Sequence, residues 1–252
     1  MPQRDTRKIG LARALSKLGY CSRSHAEEII REGRVSLNGK IRRNAETPVH
    51  LTRDKIEVDG KPIELSEKAY LMMNKPRGLI TTASDEKGRE TIYSILKNRE
   101  SLPWLAPVGR LDKASEGLLL LTNDSEWGAR ITDPETHLDK TYHVQIARVA
   151  DDDFTQTLMR GIRIEAAEIL KAKRATVLRA GEKNCWLEIT LDEGKNRHIR
   201  RMFGALDVEV LRLIRIAIGP LALGTLPKGQ ARSLTSQEKK SLDHAMTRRR
   251  HP

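Results

Sequence analysis

Residues 109–124 read Gly109-Arg110-Leu111-Asp112-Lys113-Ala114-Ser115-Glu116-Gly117-Leu118-Leu119-Leu120-Leu121-Thr122-Asn123-Asp124. The unbroken leucine run predicts a buried strand, and the polar segment before it, flanked by glycines, predicts the turn that feeds it. That turn sets one carboxylate, Asp112, between the cations Arg110 and Lys113. A carboxylate kept ionised by neighbouring cations can serve as nucleophile or general base. Aspartate is also common in turns for local hydrogen-bonding reasons. An isolated Asp would be read as a turn cap; the rest of the chain argues against that here.

Further apolar runs lie at Ala69–Met73, Tyr142–Ile146, Trp186–Ile189 and Val210–Ile218, with a helical pattern at Phe154–Met159. Strands interleaved with helices predict an α/β or α+β domain over residues 69–235. Upstream, Ala12, Leu15 and Leu18 repeat at helical spacing before Gly19. Ser24-His25-Ala26-Glu27 has the capping-box form, Ala26, Ile29 and Ile30 form an apolar stripe, and Gly33 suits a C-terminal cap. Val35 and Leu37 then alternate before Asn38-Gly39, the strongest short-range hairpin signal. Helix, helix and hairpin occupy residues 9–60, after a basic, flexible N-terminus at 1–8 and before a linker at 61–68. Residues 236–252 carry few large apolar side chains and include Arg248-Arg249-Arg250, so they read as a basic, flexible tail.

The 252 residues suffice for one or two domains with a real core. Charged residues make up 32%, and 46 Lys plus Arg against 34 Asp plus Glu leave a net charge of +12, which predicts a polyanionic partner, foremost a nucleic acid. No window approaches the roughly 18 apolar residues of a spanning helix, and Met1–Lys8 lacks the apolar core of a signal peptide. The expectation is a cytoplasmic protein with no membrane partner. Cys21 and Cys185 show no metal-ligand spacing, and the seven histidines form no H-x-x-x-H or H-x-H pair, so no metal is expected.

Four segments of the second domain could carry chemistry: Asn74-Lys75-Pro76-Arg77-Gly78, the Asp112 turn, Lys140-Thr141-Tyr142, and the run from Glu193 through Lys195, Asn196, Arg197 and His198 to Phe203. In the last, Ile199, Met202, Phe203 and Leu206 fall at i, i+3, i+4 and i+7 and predict the buried face of a helix. Arg197 and Arg201 then project to the other side, as a solvated face or as phosphate contacts. Arg200 lies on the flank of the apolar stripe, where an unpaired charge would cost several kcal/mol, so a carboxylate partner is expected, with Asp112 the candidate. Tyr142 is a strand residue whose ring could stack on a base.

The N-terminal order of two helices, Gly33-Arg34-Val35-Ser36-Leu37-Asn38-Gly39-Lys40 and Tyr20-Cys21-Ser22-Arg23 between the helices resembles the S4 RNA-binding domain over about residues 9–56. That resemblance implies a basic face for structured RNA rather than DNA, made here by Lys17, Arg23, Arg31, Arg34 and Lys40, recognising shape and phosphate more than bases.

The four downstream segments, in their order, resemble the RsuA/RluB/RluE/RluF family of ribosomal-RNA pseudouridine synthases over roughly residues 9–235. The resemblance implies an α+β chain, with a small S4-like αα-hairpin domain and a mixed or antiparallel-sheet catalytic domain. It implies conversion of a uridine to pseudouridine without a cofactor: the N1–C1′ bond breaks, the base turns and rejoins through C5. Asp112 matches the catalytic aspartate, Tyr142 the aromatic that stacks on the target base, and Arg200 the basic residue paired with the aspartate. Arg110 matches an arginine that fills the space left by the flipped nucleotide, and Lys75, Arg77, Lys140, Lys195, Arg197 and Arg201 are expected to contact RNA around it. Ser115, Ser125 and His198 depart from the family's usual Thr, Gly and Gln, the last two touching turn geometry and substrate contacts. The expected substrate is large-subunit ribosomal RNA. The alternatives are the same reaction on small-subunit RNA and a non-catalytic RNA-binding assembly factor. A monomer is the default expectation.

Overall fold

Gly33, at φ +81°, closes the second helix because a left-handed backbone lets the N–H groups of Gly33 and Arg34 reach back to the carbonyls of Ile30 and Ile29 at 3.0 and 3.1 Å. That helix belongs to a computed structural model describing residues 8–83, 88–97, 102–165 and 168–247. Residues 1–7 of the N-terminal segment expected to be flexible, and Arg248–Arg250, lie outside the described residues. The chain divides into two compact units, one of Met1–Tyr70, Asn98–Ala106 and Thr122–Ser125, the other of Leu71–Lys97, Pro107–Leu121 and Glu126–Pro252.

In the first unit a short strand β1 (Ile9–Gly10) leads into α1 (Leu11–Lys17) and α2 (Arg23–Arg31). These helices bury Leu11, Leu15, Ala26, Ile29 and Ile30 in one core with Val35, Leu37, Ile56 and Val58. The N-cap of α2 is Ser22 rather than Ser24: Ser22 is extended and its hydroxyl accepts from the His25 N–H at 3.1 Å, so the helix starts two residues before the expected box. β2 (Val35–Leu37) and β3 (Lys40–Ile41) form the expected hairpin, with Asn38 and Gly39 at φ +53° and +77°. β4 (Pro48–Val49) pairs with β1, while β5 (Ile56–Val58) joins β2 and then β6 (Lys61–Pro62). Residues 61–68 are therefore not a free linker. β6 is a strand of the small sheet, and the Ser66 N–H donates to the Leu18 carbonyl at 3.3 Å.

The second unit is built on a mixed sheet. Its strands are β7 (Tyr70–Lys75), β8 (Ala106–Val108), β9 (Glu116–Thr122), β10 (Lys140–Ile146), β13 (Arg174–Ala180), β14 (Cys185–Leu191), β15 (Val210–Ile218), β16 (Leu221–Ala222) and β17 (Ala231–Ser233). Its order is β13-β14-β10-β15-β9-β7-β17, with β16 on β15 and β8 on β9. The β15–β9 pairing is parallel; β15–β10 and β10–β14 are antiparallel. β9 is buried at every position, as its leucine run requires. Between strands lie α3 (Ser125–Thr132), α4 (Asp152–Arg160), the two-stranded β11 (Ile162–Glu165) and β12 (Glu168–Leu170), and α5 (His198–Gly204). One face of the sheet packs Val144, Ile146, Leu187 and Ile189 against Phe154 and Leu158 of α4 and Ile199, Met202 and Phe203 of α5. Leu206 falls beyond α5 and packs partly buried against the same core.

Residues 236–252 do not form the expected tail throughout. Ser236–Thr247 is a helix, α6, that buries Leu242 and Met246, and the Trp127 indole N–H donates to its Asp243 at 2.9 Å. Cys21 and Cys185 are free and buried, and burial pushes the Cys21 thiol up to about 11.

Candidate active site

Asp112 sits in the loop between β8 and β9, and the loop is held through its backbone. The Lys75 ammonium, at the end of β7, donates to the carbonyls of Pro76, Asp112 and Ser115 at 3.1, 3.1 and 2.9 Å. Arg200 of α5 donates to the carbonyl of Ala114, and from its other terminal nitrogen to that of Val210, both at 3.2 Å. The Thr81 hydroxyl donates to the Leu111 carbonyl at 2.8 Å, and the Gly78 N–H to that of Lys113 at the same distance. Two cations and two donors thus fix four successive carbonyls from Leu111 to Ala114, and Lys75 also fixes that of Ser115. The Asp112 carboxylate itself stays exposed.

This arrangement corrects two expectations. Arg200 and Asp112 are not within ion-pair distance; the flank position of Arg200 is satisfied by carbonyls, and burial draws its guanidinium below its ordinary value while nearby Asp112 partly offsets that. Lys75 is 0% exposed and offers no surface for RNA. Its burial lowers the ammonium to about 8, against the opposing pull of Asp112 and Glu116.

Glu116 and Gly117, which follow the loop, lock β9 to β15. Ile214 and Arg215 pair with Glu116 and Gly117, and a Cβ on Gly117 would lie 2.3 Å from the Arg215 carbonyl oxygen. Only glycine fits, and its φ of +101° suits no side chain. The Glu116 carboxylate, 3% exposed, accepts from Arg212 at 3.1 Å twice and from Lys228. Burial alone would raise this group, but the two cations more than reverse that and hold it below the ordinary carboxylate range.

A cavity of about 300 Å³ opens beside this loop, at the lower end of the small-molecule range of about 300–1,000 Å³. Its lining brings together Arg110, Asp112, Lys140, Tyr142, Lys195 and Arg197, from segments that the chain keeps far apart. Tyr142 stands opposite Arg215 across the β10–β15 pair. Arg77, Arg200 and Arg201 do not line the cavity. Arg77 is exposed nearby, and Arg201 is committed to an ion pair with Glu168. Lys195 pairs with Glu193 at 3.0 Å.

One charged lining residue was missed in the sequence, Arg215, whereas His198, also in the lining, belongs to the segment already singled out. His198 is 3% exposed, and burial first of all lowers its pKa. Arg215 was hidden in the apolar run of β15, although a cation inside a buried strand is itself a signal. Arg212 and Arg215, three apart, fall on opposite faces of the strand, one toward Glu116 and the other toward the cavity.

In the first unit Arg23, Arg31 and Lys40 are exposed and Lys17 is half-buried. Arg34 is engaged in a two-pronged ion pair with Asp59, at 3.0 and 2.7 Å. Among the described residues there is no cluster of His, Cys, Asp and Glu able to hold a metal, and no helix long and apolar enough to cross a membrane.

Residues 69–205 match the model of the RNA pseudouridylate synthase family, and residues 9–56 match the S4 domain. The chain belongs to the RNA pseudouridylate synthase family. The synthase is 38% identical over 234 residues to "Ribosomal large subunit pseudouridine synthase B" of Bacillus subtilis, covering 92% of this chain and 94% of that one. It is also 38% identical over 232 residues to an uncharacterised RNA pseudouridine synthase of Aquifex aeolicus, covering 92% of both. A crystal structure of a pseudouridylate synthase, 30% identical, superposes with a TM-score of 0.64 over 93% of this synthase and 99% of that chain. The matched catalytic region ends at 205, so β15, which carries Arg215, lies past it.

Proposed function

We propose that the protein isomerises one uridine of large-subunit ribosomal RNA to pseudouridine, with Asp112 as the catalytic carboxylate. The observation that carries this reading is the cavity that gathers Asp112, Tyr142 and Lys140 from separate strands and loops. The B. subtilis relative's name supports the large-subunit substrate. A base cannot turn while stacked, so it must leave its helix at a cost of a few kcal/mol, which stacking on Tyr142 and a basic surround offset. Arg110, exposed at the cavity rim, fills the gap left in the RNA, while Lys195 and Arg197 meet phosphates. Lys75 and Arg200 act as positioning residues, holding the Asp112 loop so that the carboxylate meets the sugar or base at a fixed place. The exposed Arg23, Arg31 and Lys40 hold structured RNA from the N-terminal unit.

The test is a pseudouridine map of both ribosomal RNAs from cells with and without the protein, read by carbodiimide-dependent primer-extension stops. The expected result is one stop lost from the large-subunit RNA and not restored by Asp112→Ala, with purified Asp112→Ala still binding RNA. A stop lost from the small-subunit RNA would reassign the substrate, and product formed by pure Asp112→Ala would overturn the mechanism.

A further inference from the structure

Arg215 is the one guanidinium of the cavity lining that is almost wholly buried, at 6% exposure. Its Nε donates to the Leu118 carbonyl at 2.7 Å, but its Nη2 is buried with no hydrogen-bond partner. A buried donor left unmade is costly, since it has lost water without gaining an acceptor. Such a cost persists where a ligand supplies the acceptor. The position is also fixed from behind, because the Arg215 backbone lies against Gly117, closer than any side chain could allow. Directly opposite on β10 stands Tyr142, and two residues before it Lys140, which lines the same cavity half-buried. Burial, and then the charge of Arg215, draw the Lys140 ammonium below its ordinary value.

We propose that Arg215 contacts the substrate, its free Nη2–H donating to a carbonyl oxygen of the flipped uracil and, with Lys140, stabilising the charge the base carries while detached. The inference rests on the isomerisation proposed above. When the N1–C1′ bond breaks, its electron pair goes to the base and spreads from N1 to O2 and O4, leaving C1′ electron-poor beside Asp112. When the base has turned, C5 gives an electron pair to C1′ and then loses its proton to solvent while N1 takes one up, so nothing is oxidised and the atoms balance. Cations aimed at O2 or O4 bind the detached base more strongly than neutral uracil, which lowers the barrier to the first step. A phosphate is the poorer occupant. The exposed Arg110 and Arg197 at the rim suit the RNA backbone, whereas Arg215 can reach only a group that enters the cavity.

Arg215→Met and Arg215→Lys are compared with native protein under single-turnover conditions on transcribed ribosomal RNA, with RNA affinity measured by filter binding and folding by thermal unfolding. Arg215→Met is expected to lose about 10²-fold or more in rate while its RNA affinity stays within about threefold, and Arg215→Lys to recover part of the rate. Added methylguanidinium is expected to raise the rate of Arg215→Ala, which a purely structural role would not produce. If Arg215→Met does not fold, Lys140→Met carries the test, with the same loss of rate at unchanged affinity. A folded Arg215→Met as fast as native protein, or one whose loss of rate is matched by its loss of affinity, overturns the role of Arg215 alone. Native protein that forms no pseudouridine in either ribosomal RNA overturns the proposed reaction and this role together.

Discussion

The Lys75 ammonium donates to the Asp112 carbonyl at 3.1 Å, so the place of the candidate catalytic carboxylate depends on a charge buried behind it. Three carbonyls take its three donors, and a neutral amine would have one donor fewer.

That dependence predicts a pH profile. The Lys75 pKa falls from 10.5 to about 8 in the folded protein. For a lysine depressed in this way, the buried charge opposes folding below pH 8, and the penalty fades as pH rises from about 8 toward 10.5. Raising the pH through this window therefore costs no stability through Lys75 but loosens the Asp112 loop. The single-turnover rate is expected to decline above about pH 8 in native protein, and Lys75→Arg, which stays charged, is expected to lack that decline. Superimposable profiles for the two proteins would refute the account.

Gly117→Ala should be among the most damaging small substitutions in the chain. The added methyl would meet the Arg215 carbonyl oxygen at 2.3 Å and nitrogen at 2.8 Å, with no flexible side chain to give way. A loss of about 3 kcal/mol or more is expected, read as a lowered urea midpoint, together with loss of activity as β15 shifts. A midpoint within experimental error of the native value would show that the two strands can part cheaply.

Glu116 ties β9 to Arg212 and Lys228. Its cations are 39% and 53% exposed and can return to water when the carboxylate is removed, so Glu116→Gln should cost only about 1–3 kcal/mol at neutral pH. Because the folded carboxyl lies below its ordinary value of 4.5, its stabilisation is full above that value and is lost as pH falls through the folded pKa. The difference in Tm between native protein and Glu116→Gln is therefore expected to shrink on acidification. A difference that grows instead would mean that the pairing is not what holds the carboxylate ionised.

The helix at Ser236–Thr247 should matter to stability. Leu242 is 0% exposed, and Leu242→Ala is expected to cost about 2–4 kcal/mol, seen as an earlier thermal transition with the catalytic rate intact at low temperature. An unchanged transition would restore the reading of this segment as a tail.

How far the sequence can be read follows from what each side chain is asked to do. The leucine run of β9, the apolar stripe of α5 and the Asn38-Gly39 hairpin were legible because burial and turn geometry dictate residue type locally. β13 was not, since it is an edge strand with only Ala175 buried and so has no apolar signature. α6 escaped because only Leu242 and Met246 of its twelve residues are buried. The cluster of Arg110, Asp112, Lys140 and Tyr142 was anticipated through the family resemblance. The places of Lys75 and Arg200 were not, because their acceptors are backbone carbonyls, which carry no residue-specific mark.

The parallel pairing of β9 with β15 also sets an order of events during synthesis. Arg215 follows Leu118 by 97 residues, and β15 lies between β9 and β10 in the finished sheet. The two helices and hairpin of the first unit draw their core from residues before 60 and can form while the ribosome is still making the sheet. The walls of the cavity can meet only after Ile218 has left the tunnel, since Leu213, Arg215 and Ile218 are among them. A nascent or prematurely ended chain would thus grip RNA before it could alter it, and such fragments would compete with the full-length protein for the same RNA.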